Sequence, residues 1–95
     1  MNAQPLTAAH VVVRGLVQGV YFRASAREVA LGMGLTGWVR NRGDGGVEAR
    51  VQGPPAAVAA MVDWFRSGPP HARVDSFERD ETAYDPGLTT FGVRP

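Results

Sequence analysis

The chain has 95 residues, no cysteine and a net charge of +1, with ten basic side chains set against nine acidic ones. That length suits one domain spanning residues 1–95, with a core large enough to stand without staples. The missing cysteine excludes disulfides and thiolate chemistry, and because every basic residue is arginine, Schiff-base and lysine-nucleophile chemistry are excluded as well.

The arginines are spread among the acids from Arg14 to Arg94, which argues against a concentrated nucleic-acid-binding face. No run approaches the ~18 apolar residues of a membrane span, and Met1 to Ala9 lack a basic start and an apolar block. A soluble cytoplasmic protein, monomeric and without membrane or nucleic-acid partners, is therefore expected.

Residues 1–6 read as a loose tail. Thr7 to Arg14 read as the first strand, where Val11, Val12 and Val13 in succession suit a central position covered on at least one face. His10, alone in this strand, reads as structural or solvent-facing. Gly15-Leu16-Val17-Gln18-Gly19-Val20-Tyr21-Phe22-Arg23 then reads as a strand-to-helix turn. Its two glycines, four apart, let successive N–H groups converge at the helix N-terminus, a place that favours an anion. Arg23 adds a permanently charged fork of donors suited to phosphate oxygens. Phe22, Ala26, Val29, Ala30 and Met33 recur at spacings of three and four and form the apolar stripe of a helix that Gly32 and Gly34 terminate. Ser25 has no neighbour able to activate it and reads as a surface hydroxyl.

Leu35 to Asn41 and Gly46 to Gln52 read as a hairpin closed by the turn formers Arg42-Gly43-Asp44-Gly45. Val47, Ala49 and Val51 alternate with Glu48, Arg50 and Gln52, which predicts one buried and one wet face. Arg42-Gly43-Asp44 also spells an adhesion tripeptide, but a tight turn already asks for Gly and Asp there. Gly53-Pro54-Pro55 opens a second helix with the stripe Val58, Met61, Val62 and Phe65, flanked by Trp64 at the edge of the core and stopped by Gly68-Pro69-Pro70. Ala72 to Asp80 reads as a fourth strand with a bulge, because Val74 and Phe77 are three apart. Glu78, Asp80, Glu81 and Asp85 read as a solvated acidic loop, and Thr89 to Arg94 as a short last strand with Phe91 and Val93 on one side.

This order predicts an α+β two-layer sandwich, βαββαβ with an added C-terminal edge strand, its two helices on one face of a mainly antiparallel sheet. The nonapeptide from Gly15 to Arg23, followed by Gly37-Trp38-Val39-Arg40-Asn41 and by Gly45, Val47 and Gly53, resembles the acylphosphatases. The resemblance implies a ferredoxin-like fold and hydrolysis of the carboxyl–phosphate bond of a small acyl phosphate, with inorganic phosphate as product and inhibitor. It implies a phosphate-binding loop of Gly15, Leu16, Val17, Gln18, Gly19, Val20, Tyr21, Phe22 and Arg23. Arg23 and Asn41 match the family's phosphate-binding arginine and water-positioning asparagine, and no metal or other cofactor is implied.

The residues themselves lead the same way. Neither motif holds a His, Cys, Asp or Glu placed to act as nucleophile or leaving-group acid. An alkyl phosphate expels a poor alkoxide, whereas an acyl phosphate expels a carboxylate whose conjugate acid has a pKa near ~4. Arg40 and Arg14 are expected to add positive potential, and Val17, Val20, Phe22 and Trp38 to pack the loop rigid. An RNA-recognition-type module shares the element order but stacks bases on strand aromatics, which are missing from Val47 to Gln52.

Overall fold

A computed structural model describes residues 5–95. The tail expected at residues 1–4 lies outside the described residues, while Pro5 and Leu6 are exposed and belong to no element. The elements run β1 (Thr7–Leu16), α1 (Phe22–Gly32), β2 (Thr36–Asn41), β3 (Val47–Gly53), α2 (Pro55–Phe65), β4 (Arg73–Thr82) and β5 (Phe91–Arg94). They form a five-stranded sheet in the order β4-β1-β3-β2-β5, antiparallel throughout except where β5 joins β2 in parallel. The fold is the expected ferredoxin-like sandwich.

The helices cover one face. Ala9, Val11 and Val13 of β1, Val39 of β2, and Val47, Ala49 and Val51 of β3 meet the stripe Phe22, Ala26 and Ala30 of α1 and Val58, Met61, Val62 and Phe65 of α2. Alternation along each strand sends these side chains to the same side, and their burial is the main stabilising term. Met33, expected on the α1 stripe, is instead exposed, because the helix stops at Gly32. β4 carries the expected irregularity: Arg14 faces Ser76 and Gly15 faces Val74, so Asp75 is the extra residue. That bulge lets both Val74 and Phe77 pack against the core. β4 runs on to Thr82, which places Glu78, Asp80 and Glu81 in an exposed edge strand rather than a loop.

The other face of β3 is not wet. Glu48 is 6% exposed and Gln52 fully buried. Gln52 lies beneath the connection from β4 to β5, which must cross the sheet from one edge to the other. Its carboxamide accepts from the Asp85 N–H (3.1 Å) and donates to the Asp85 carbonyl (2.7 Å) and to the Thr36 hydroxyl (3.1 Å). Arg50 donates to the Ala83 carbonyl in the same crossing. The crossing also uses Thr89 and Thr90, so β5 starts two residues later than the alternation suggests.

Replacing Gln52 by leucine adds apolar surface to a buried site yet strands the Asp85 amide and carbonyl. Urea denaturation should therefore show Gln52→Leu less stable than wild type by roughly 1–3 kcal/mol.

Candidate active site

The site grows out of the C-terminal end of β1. Pairing with β4 carries that strand through Gly15 and Leu16, two residues further than the hydrophobic run indicates. Gly15 has φ 135°, and a Cβ there would sit 2.3 Å from the Arg73 carbonyl oxygen, so β4's close approach dictates glycine. Gly19 has φ 74° with open space around it, and there the backbone conformation alone asks for glycine. Tyr21, the residue before α1, is also left-handed at φ 62°, ψ 23°, and its side chain is 81% exposed. A non-glycine residue held in that region costs on the order of 1–2 kcal/mol, a strain that tends to collect at functional sites.

No N–H from Gln18 to Phe22 donates to the backbone among the described loop and turn bonds. α1 has no side-chain cap and no acidic residue in its first turn. The donors at this helix start are consequently unspent. Phe22 anchors the loop from beneath, its ring 5.7 Å from Phe65 and 5.4 Å from Trp64, while Val17 is fully buried. Trp38 does not share this packing. It lies on the helix-free face between the guanidiniums of Arg40 and Arg94, 5.3 and 5.0 Å from its ring.

Above the loop opens a cavity of about 440 Å³ lined by Val17, Gly19, Tyr21, Phe22, Arg23, Ala24, Asn41 and Val93. Arg23 and Asn41, from distant parts of the sequence, thus share one hollow. Arg23 is its one charged lining residue and enters none of the ion pairs among the described residues. Arg14 and Arg40, by contrast, are engaged by carboxylates: Arg14 by Glu78 (3.0 Å) and Asp44 (3.2 Å), Arg40 by Glu48 (2.5 Å). They are paired charges rather than free positive potential. The Asn41 Oδ1 is buried and has no hydrogen-bond partner among the described residues. Neither carboxylate nor imidazole lines the cavity, and no group of three or more potential metal ligands occurs among the described residues.

Sequence reasoning missed three contributions. The Gln18 side chain donates to the carbonyls of Arg42 (3.0 Å) and Gly46 (2.8 Å), clipping the loop to the turn that follows Asn41. Its place inside the motif was a signal, though only the loop's backbone was credited. Val93 reaches the cavity because β5 runs parallel beside β2, a pairing that local pattern does not reveal. Glu48, read as solvent-facing, accepts from His10 (2.8 Å) and Arg40 and lies 3.6 Å from Arg42.

The family model for acylphosphatase matches residues 9–93. The chain belongs to the acylphosphatase family. By that membership it is an enzyme of the hydrolase class, an acylphosphatase. The acylphosphatase of Gloeobacter violaceus is 55% identical over 87 residues, covering 90% of each chain. The solved acylphosphatases of Coxiella burnetii and Bacillus subtilis both superpose with a TM-score of 0.88, at 38% and 32% identity. They cover 94% of this chain and 93% and 99% of their own.

Burial alone would raise the Glu48 carboxyl, but the hydrogen bonds from His10 and Arg40 outweigh it and hold it below the ordinary glutamate value of 4.5. A carboxyl depressed by folding stabilises the protein above its unfolded value and loses that contribution as pH falls through the folded one. Urea midpoints should accordingly show wild type losing more stability than Glu48→Gln between pH 7 and pH 3.

Proposed function

We propose that this acylphosphatase hydrolyses the carboxyl–phosphate bond of a small acyl phosphate, with the loop N–H groups and Arg23 holding the phosphoryl group and Asn41 holding the attacking water. The observation that carries the reading is that Asn41, whose Oδ1 has no hydrogen-bond partner among the described residues, lines the same cavity as the unpaired Arg23 guanidinium. A carboxamide at the cavity wall can hold a water through its oxygen or its nitrogen. Held either way, the water keeps a lone pair free to attack phosphorus. The N–H groups of Gln18 to Phe22 and the Arg23 fork supply fixed positive ends for the three phosphoryl oxygens, where charge builds in the transition state. Phosphoryl transfer asks for such alignment more than for covalent help.

The bond between phosphorus and the bridging oxygen breaks as the water oxygen adds, and the electron pair leaves with the carboxylate. The water's second proton passes to a phosphoryl oxygen, so that the product is dihydrogen phosphate. The carboxylate is stable at neutral pH, so no protein acid is required to protonate it. The cavity's lack of a carboxylate or imidazole is consistent with this economy of groups. Tyr21, Val93 and Ala24 leave the acyl portion a largely apolar wall.

Arg23→Ala should remain folded and lose turnover of benzoyl phosphate by at least ~10²-fold, the scale for removing one strong transition-state donor. Near wild-type rates would remove Arg23 from the mechanism. Asn41→Ala should lower kcat while competitive inhibition by inorganic phosphate persists, because the water rather than the anion loses its holder. Wild type should hydrolyse benzoyl phosphate far faster than p-nitrophenyl phosphate, with chelator leaving the rate unchanged.

A further inference from the structure

The Asn41 Oδ1 has no hydrogen-bond partner among the described residues, so no hydrogen bond fixes that oxygen. Its aim comes from the backbone that carries it. On that backbone, side chains alternate between faces: Asn41 points to the cavity, and its neighbours Arg40 and Arg42 point to the opposite side of the sheet. There both neighbours meet the same group. Arg40 Nε donates to Glu48 Oε1 at 2.5 Å, and Arg42, whose Nε donates to Asp44 at 3.2 Å, completes a looser ion pair with Glu48 Oε2 at 3.6 Å. Glu48 sits on β3 directly across from Arg40, is only 6% exposed, and is steadied from β1 by His10. Glu48 is buried but Arg40 is half-exposed, and a pair screened by solvent on one side adds only modest stability, so stability is not the whole reason for a carboxylate here.

We propose that Glu48 is a positioning residue for the reaction, gripping both chain neighbours of Asn41 from the far face of the sheet and so fixing where the water is held. The inference rests on the assignment of the water to Asn41. Glu48 touches neither substrate nor water and acts only through the strand. A displacement of about 1 Å in a group that aligns a nucleophile can cost on the order of 10²-fold in rate, and partial release of the strand costs less.

Glu48→Gln keeps the shape and removes the charge. It should lower kcat for benzoyl phosphate by about tenfold, leave inhibition by inorganic phosphate unchanged, and shift the side-chain amide NMR signal of Asn41. In an Asn41→Ala background the same change should have no further effect on kcat, since the group it aims is gone. Arg40→Leu, a half-exposed position safer for folding, should give the same pattern in weaker form. Independent, multiplying losses in the double variant would overturn the proposal, as would an unmoved Asn41 signal. So would tighter phosphate inhibition that added salt erases, because that is the mark of a long-range charge effect. If Asn41→Ala itself runs at wild-type rate, the water assignment fails first, and the NMR shift alone then decides whether Glu48 orients Asn41.

Discussion

The cavity depends on polar groups that the fold leaves without protein partners: the loop N–H groups, the Arg23 guanidinium and the Asn41 Oδ1. Of these the Asn41 Oδ1 is buried, and a buried acceptor left unpaired destabilises the folded chain by about 1–3 kcal/mol. The left-handed Tyr21 adds strain at the same spot. A frame that tolerates this must be well packed immediately beneath, and it is: Phe22 seats the helix start on Phe65 and Trp64, and Val17 is fully buried. On the proposed reading, donors held rigid before an anion arrives need not reorganise when it does, and their catalytic value would lie there.

The two faces of the sheet divide the work. On the helix side, apolar side chains from every strand except the exposed ends fill one core. On the other side the sheet is organised by charge and amide contacts. Glu48 collects hydrogen-bond and ion-pair partners from β1, β2 and the hairpin turn, and Gln52 holds down the long connection between the edge strands. Asn41 stands where these two regimes meet, its side chain in the cavity and its neighbours committed to the polar face.

Much of this was legible. The valine run of β1, the three-and-four spacing in both helices and the glycine-bounded loop each have a period or a backbone requirement of their own, so element order and the two-layer arrangement could be read directly. Arg23 and Asn41 were marked by the motifs around them. Less legible were features that depend on partners distant in sequence. The polar face of β3 alternates like a solvent-exposed edge, and only the connection crossing from Thr82 to Phe91 turns Gln52 into a buried residue. Glu48 looked like a surface acid because its three partners come from residues 10, 40 and 42. Trp38 was expected under the loop because it precedes Asn41, yet a three-residue step along a strand puts the two on opposite sides.

Val93 has a consequence for how the enzyme comes into being. Arg23 and Asn41 leave the ribosome early, but the wall opposite them belongs to β5, which docks in parallel only after β4 has been laid down and the sheet crossed. A nascent chain halted before Phe91 contains Arg23 and Asn41 and still lacks the Val93 wall of the cavity. The cavity is thus completed by β5, after the residues on its other side have been synthesised.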